Sequence, residues 1–297
     1  MQSGILLIDK PEGVTSFEVV RRARRALKVR KIGHLGTLDP FATGLLPLCL
    51  KEATKLVPFL LPEPKTYRAR LKLGVATDTQ DFTGKIAAQS DALPTAAEVR
   101  RVAGGFVGQL EQVPPMYSAV HHQGERLYEL ARRGEAVDRE PRQVTVYFLS
   151  VERVALPLVD FTVSCSQGTY IRTLAADLGA ALGCGAHLVA LRRLAVGPFR
   201  VEEALPLTAL MELTLEELDA RIIPLGRCLP GMRQISVDPE QARRLRQGQP
   251  LVWAGNGAAG EEQVQVLEGL NLVAVARIKG AAPQRLVSPV RVFAREV

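Results

Sequence analysis

Apolar and polar positions divide the chain into stretches of two different periods. Gly4 to Ile8 is a continuous apolar run closed by Lys10-Pro11-Glu12-Gly13, which predicts a short buried strand and a turn. The period then lengthens. Phe17, Val20 and Leu27 recur at helical spacing, Thr15 and Glu18 stand as in a capping box, and Val14 and Val19 as in a hydrophobic staple. From Tyr67 to Gly74 the period is two: Tyr67, Ala69, Leu71 and Leu73 share one strand face, Arg68, Arg70 and Lys72 the other. Residues 95–103 read as a helix, and Val113-Pro114-Pro115 ends that region. Leu158 to Ser166 alternates again. Gly168-Thr169 turns it into a helix with Thr169 as N-cap and Ile171, Leu174, Leu178 and Leu182 as apolar positions, stopped at Gly183 to Gly185. Leu191 to Phe199 is strand-like, and acidic Met211 to Asp219 reads as a surface helix.

Two segments break this order. Gly33 to Gly44 is a polar, glycine-rich loop inside an apolar region. Met116 to Arg142 is charged, with Tyr128, Leu130 and Ala131 as scant apolar anchorage, and is expected to be a mobile surface insertion with a short helix. Long loops of this kind more often carry function than not. Past Leu229-Pro230-Gly231, apolar runs at 250–253, 263–267, 272–278 and 286–293 are separated by Gly and Pro, which predicts a small β-rich module.

A chain of 297 residues, 47% hydrophobic and 23% charged, can bury a substantial core without staples. Its formal charge of +7 suits an anionic partner without proving one. Seven bases fall between Arg21 and Lys31 with no acid among them: Arg21, Arg22, Arg24, Arg25, Lys28, Arg30 and Lys31. Like charges at helical spacing repel, so a phosphate-contacting face is preferred to a merely solvated one. Cys49, Cys165, Cys184 and Cys228 form no C-x-x-C pair, and Cys184 with His187 lacks a second ligand pair, so buried free thiols are expected. The N-terminus has no secretory pattern and no stretch is long enough to span a membrane. A cytoplasmic location follows by default.

Asp39 is the first candidate for chemistry. An Asp before Pro is by itself an ordinary turn residue, but here three glycines, a His and two threonines crowd around it, directly after the basic stretch. Arg172 falls in the first turn of its helix, where the macrodipole disfavours a cation; pairing with a buried carboxylate would offset that, and an exposed Arg pointing away is the plainer alternative. Tyr67 reads as core or as a stacking platform for an extruded base. His34 reads as a stacking wedge, a base or a loop residue. No P-loop, dinucleotide fingerprint, H-E-x-x-H or nucleophile elbow is present, so metal, nucleotide cofactor and triad hydrolysis lack support.

Gly33-His34-Leu35-Gly36-Thr37-Leu38-Asp39-Pro40-Phe41-Ala42-Thr43-Gly44 resembles the catalytic motif of the TruB family of tRNA pseudouridine synthases. Gly4 to Pro11, Lys65-Thr66-Tyr67 with Asp78 and Asp81, Pro114 to Ala119 with Arg126 to Arg132, Gly168 to Leu174, and Leu191-Arg192-Arg193 with Gly197-Pro198-Phe199 resemble its other motifs in order. Leu35, Phe41, His121-His122, Gln167 and Leu194-Ala195 depart from the pattern without removing a catalytic group. The resemblance implies an α/β (α+β) pseudouridine synthase fold with a mixed, mostly antiparallel sheet. It implies a catalytic domain over 1–230 with an RNA-gripping insertion at about 115–143, and a PUA-like RNA-binding domain over 231–297. The implied reaction converts uridine 55 in the tRNA T-arm loop to pseudouridine without cofactor or metal. By resemblance Asp39 is the essential carboxylate, adding covalently or deprotonating the sugar. Arg172 pairs with it and keeps it ionised, and Tyr67 stacks on the flipped base and assists proton transfer. Tyr170 and Leu191 line the base pocket and His34 fills the vacated space. A monomer with no obligate protein partner is expected. Two alternatives stay open: a tRNA-folding factor in which modification is secondary, and a guide-RNA-dependent synthase.

Overall fold

The structure, a computed structural model, describes residues 1–60, 64–118, 120–122, 124–135, 137–253, 261–280 and 285–294. Among these the frame is an eleven-stranded mixed sheet. In chain order its parts are β1 (Gly4–Lys10), α1 (Ser16–Leu27), β2 (Ile32–His34), β3 (Thr43–Leu50), β4 (Lys65–Leu73), α2 (Ala96–Gly104) and β5 (Gly108–Gln112). Then come α3 (Leu127–Arg132), β6 (Arg142–Ala155), β7 (Leu158–Cys165), α4 (Ile171–Ala181), β8 (Ala186–Val196) and β9 (Phe199–Arg200). Finally β10 (Leu205–Pro206), α5 (Ala209–Glu212), α6 (Leu215–Ala220) and β11 (Ile223–Pro224) close it.

Across the sheet the order is β10-β1-β3-β8-β4-β7-β6-β5, with β2, β9 and β11 on short side pairings. Most neighbours are antiparallel, but β3 and β8 meet in parallel over two residue pairs, Arg192 with Thr43 and Arg193 with Gly44. That junction requires a glycine. Gly44 has φ +100°, and a Cβ there would lie 2.3 Å from the Arg193 carbonyl oxygen.

Apolar alternation buries both faces near the middle of the sheet. Leu71, Phe161, Leu174 and Leu178 hold α4 to one face, with α2 joining through Val99 and Ala103. Val19, Val20, Ala23 and Leu27 of α1 cover Leu6, Ile8, Leu46 and Leu48 at the β1–β3 end, and the alternate residues Ile5, Leu7, Leu45 and Cys49 of the same strands are buried in a separate group. The staple forms as expected, Val14 packing on the group that holds Val19. The capping box forms only in half: Thr15 accepts from the Glu18 amide, but the Glu18 carboxylate turns to Arg21 and Arg22. Phe17 is not on the apolar face; it is 69% exposed.

The loop expected over Gly33–Gly44 is shorter and more apolar. Its ends belong to β2 and β3, and Leu35, Leu38, Phe41 and Ala42 are buried. Pro47 interrupts the run Leu45 to Leu50 as sequence but not as strand; its carbonyl accepts from the Leu35 amide at 3.0 Å. The N-cap of α4 is Tyr170 rather than Thr169, and the acidic helix expected from Met211 to Asp219 is two short helices. Leu127 and Leu130 of α3 bury and tether the charged insertion. Residues 119, 123 and 136 of the insertion, and the side chains of His121, His122, Arg126 and Arg132, lie outside the described parts.

Beyond the large sheet, β12 (Gln234–Ser236), α7 (Pro239–Arg246), β13 (Leu251–Trp253), β14 (Glu262–Glu268), β15 (Asn271–Lys279) and β16 (Arg285–Val292) form a second unit. Its five strands run β12-β14-β15-β16-β13. Helix α7 has full start signals, with an Asp238–Gln241 capping box and Pro239 at its first position. The core is continuous between the units: Leu267, Leu272, Val275 and Phe293 join Ile5, Leu7, Cys49 and Val196. Among the described residues no helix is long and apolar enough to cross a membrane.

Candidate active site

Asp39 lies between β2 and β3, on a loop fastened from both sides. Ser16 Oγ donates to the Leu38 carbonyl at 3.1 Å and accepts from the Leu38 amide at 2.9 Å. Lys10 is fully buried at the end of β1, and its ammonium donates to the carbonyls of Pro11, Val14 and Pro40 at 2.9, 2.7 and 3.1 Å. Three carbonyls satisfy its three protons. Burial lowers the Lys10 pKa to about 8, while the Asp39 charge works against the drop. Phe41 stacks edge-on against Phe82 at 5.4 Å, bracing the loop against the Asp81 turn.

Arg172 comes from the first turn of α4 and is buried, so the exposed alternative is not what forms. Its Nε donates to Asp39 Oδ2 at 2.9 Å and its Nη2 to Oδ1 at 3.4 Å. Two further protons reach the Thr79 carbonyl at 3.0 Å and the Tyr117 carbonyl at 2.8 Å. Asp81 Oδ2 is 3.8 Å from Nη1, and Asp81 is itself held by Thr79 and Thr83. One guanidinium thus faces two carboxylates and joins four segments. Of the three charged side chains only Asp39 is open, 35% exposed against 5% for Arg172 and 7% for Asp81. Oδ1, with the longer bond, is the oxygen freer to meet a substrate.

Burial pushes the Asp39 carboxyl up from the ordinary value; the Arg172 charge opposes this, the Asp81 charge adds to it, and the net direction is upward. The expectation that Arg172 keeps Asp39 ionised is therefore only half the account. Arg172 favours the charged form, and the site around it disfavours it. A carboxylate so placed is more basic than one in water, which suits proton removal or nucleophilic attack.

Tyr67 is buried on β4, in the same apolar group as Leu38, Phe41 and Leu191. Burial raises its hydroxyl pKa, and the Arg193 guanidinium pulls it back by charge and hydrogen bonding. Arg193 sits opposite Tyr67 in the β8–β4 ladder, almost fully buried, donating to the Leu45 carbonyl at 2.7 Å and the Gly36 carbonyl at 2.9 Å. It also lies near His34, whose pKa is lowered by burial first and by Arg193 second. A neutral His34 ring results at neutral pH, with a buried Nδ1 that finds no partner among the described atoms. Tyr170 enters through its backbone, the amide donating to Gln112 Oε1 at 2.7 Å and the carbonyl accepting from Gln112 Nε2 at 3.1 Å.

As site residues the sequence pointed to Asp39, Arg172, Tyr67, His34, Tyr170 and Leu191, which gather here; Lys10, Asp81 and Arg193 stood in its motifs without a role, and Gln112 went unnoticed. One signal was available. Arg193 stands between Leu191 and Ala195 on the inward register of an apolar strand, where a charge is expected only with a task. His187, which follows Cys184 at C-x-x-H spacing, bonds the Val75 carbonyl through Nδ1 at 2.8 Å, and among the described residues no group of three side chains that could hold a metal ion is found.

Residues 24–171 match the family model for the TruB family pseudouridylate synthase N-terminal domain, and residues 172–230 that for the tRNA pseudouridylate synthase B C-terminal domain. A tRNA pseudouridine synthase B of Burkholderia pseudomallei is 47% identical over 291 residues, 96% of each chain. One of Geobacter sulfurreducens is 45% identical over 281 residues, 92% of each. Among solved structures, an H/ACA RNP bound to a substrate RNA containing 2'-deoxyuridine matches with TM-score 0.74 at 25% identity, over 98% of this chain and 85% of that one. An archaeal box H/ACA sRNP Nop10-Cbf5 complex matches with TM-score 0.73 at 26% identity, over 99% and 86%. The chain belongs to the TruB family of pseudouridylate synthases.

Proposed function

We propose that this chain isomerises the uridine at position 55 of the tRNA T-arm loop to pseudouridine, with Asp39 as the essential carboxylate. The observation that carries the reading is the Arg172–Asp39 pair, one oxygen held at 2.9 Å and the other at 3.4 Å, in a chain 47% identical to a tRNA pseudouridine synthase B. In the reaction the C1'–N1 glycosidic bond breaks and a C1'–C5 bond forms; C5 loses a proton and N1 gains one. The balance needs no oxidant, nucleotide or water. Asp39 acts on the flipped nucleotide, and Arg172 fixes its orientation. Tyr67 and Leu191 present the apolar wall on which the uracil packs, Tyr170 lines the same pocket, and His34 fills the space the base leaves. Flipping costs a few kcal/mol, which stacking at ~1–3 kcal/mol per base offsets.

The insertion at about 115–143 grips the RNA, the C-terminal sheet serves as a PUA-like RNA-binding module, and the enzyme works in the cytoplasm as a monomer without an obligate protein partner. Asp39→Asn should abolish pseudouridine formation in a T-arm hairpin while leaving RNA binding intact, read by mass mapping and filter binding; full turnover by that variant would sink the assignment. The similarity to H/ACA particles favours one rival, a guide-RNA-dependent synthase. Turnover of a bare hairpin by the purified chain, with no guide added, decides against it.

A further inference from the structure

One flank of α1 carries a row of side chains that neither the core nor the Asp39 site uses. Phe17, Arg21 and Arg24 follow at steps of four and three residues, which places them on one line along the helix, and Lys28, the left-handed residue that caps its end, comes four residues further on. At ~1.5 Å per residue the row runs about 16 Å. The buried stripe Ser16, Val19, Val20, Ala23 and Leu27 faces elsewhere. Glu18 engages Arg21 and Arg22 at 2.6 and 2.9 Å, whereas among the described residues Arg24, Arg25, Lys28 and Arg30 form no ion pair. Lys31 lies in the field of Glu52. The acidic helices α5 and α6 pack beside α1 through Leu210 and Leu218, and their carboxylates bridge to none of these bases.

The helix dipole favours cations in the last turn. That accounts for Arg24 and Arg25, but not for Arg30 beyond the helix or an aromatic ring left in solvent in the first turn. The first turn is also the end joined to the site, since Ser16 clasps Leu38 and the Gly13 amide donates to the Pro40 carbonyl at 2.8 Å. The row therefore begins beside the Asp39 loop and leads away from it.

We propose that this row is a second RNA track: the phosphodiester backbone of the same tRNA lies along Arg21, Arg24 and Lys28, and Phe17 offers its face to an unpaired base. The track rests on the function proposed above. The charge and the exposed ring together fit a nucleic acid, because phosphates reward the cations and bases reward the ring.

The test is binding of full-length unmodified tRNA over a salt series. Arg24→Gln with Lys28→Gln should raise Kd at least tenfold and reduce the slope of log K against log salt by about two. Phe17→Ala should weaken binding by roughly tenfold with the slope unchanged. Arg24→Lys with Lys28→Arg should restore wild-type values. Binding by the glutamine pair with wild-type Kd and slope overturns the track, and so does weakened binding with an unaltered slope, which would mark structural damage. Wild type supplies the control on the function itself: no tRNA binding and no pseudouridine from wild type would remove that reading first, whereas an active wild type with indifferent variants removes only the track.

Discussion

Asp39 is pulled in two directions, by burial and by Arg172, and burial prevails. Its pKa is raised above the ordinary 3.8, so activity should fall as pH drops through the raised value, where the carboxylate takes a proton. The sign for stability is the opposite: with the folded value above the unfolded one, stability present at low pH is lost as pH rises through the folded value. The ionised Asp39 thus costs the fold something at neutral pH. Asp81→Asn removes the anion that adds to the rise and keeps the shape, so the acidic limb of kcat/KM should move to lower pH; an unmoved limb would show that Asp81 does not act on Asp39. At the other end, Lys10 loses its proton at pH about 8 and with it one of its three carbonyl bonds, among them the one to Pro40 of the loop. A decline in kcat/KM above that pH is expected from a pH–rate profile. Arg172→Lys keeps the charge but loses the fork, and should lower kcat about a hundredfold. Asp39 and Arg172 were legible because each is odd where it stands: a lone acid among glycines, and a cation at a helix start. Lys10 and Asp81 were not, because their partners are backbone carbonyls, or residues of segments that only the fold brings near.

Among elements, legibility followed the regularity of the alternation. β4 and β7 keep strict period two and were read correctly. β6 escaped notice: its register against β7 shifts between Val146 and Phe148 and again between Val151 and Arg153, which destroys the period on which such a reading depends. Phe17 was misplaced because an apolar residue on a helix flank fits helical spacing nearly as well as one on the buried stripe. The parallel junction of β3 and β8 was invisible, since nothing local in Gly44 tells of Arg193. It makes a clear prediction all the same. Gly44→Ala combines a left-handed φ with a 2.3 Å clash and should destabilise by at least about 2 kcal/mol. Gly13→Ala, at φ +78° with nothing within 4 Å, should lose only ~1 kcal/mol. Urea midpoints of the two variants would separate close approach from conformation alone.

At the scale of the molecule, the second sheet is not an appendage on a linker. Phe293, 1% exposed, packs in the same group as Leu7 and Cys49. Phe293→Ala should therefore cost ~3–5 kcal/mol and weaken both units together. Trp253, the one tryptophan of the chain, lies in the second sheet. Its fluorescence and the far-ultraviolet circular dichroism of the whole chain should lose signal at the same urea concentration; separate midpoints would mean that the shared core does not couple the two. The β-rich character of this unit was legible from its short apolar runs, but the continuity of its core with β1 was not, because that depends on how two distant surfaces fit.

The reach of Arg172 has a consequence for how the protein comes into being. Its partners Asp39, Thr79 and Tyr117 lie 133, 93 and 55 residues away along the chain. Contacts of such separation close long loops and form late, after the local hairpins have formed. During refolding, catalytic competence should therefore appear with the slowest step, well after most strand signal has returned. A chain still emerging from the ribosome would hold Asp39 exposed and unpaired until α4 arrives, so nascent chains should be inert toward RNA until they are nearly two thirds made.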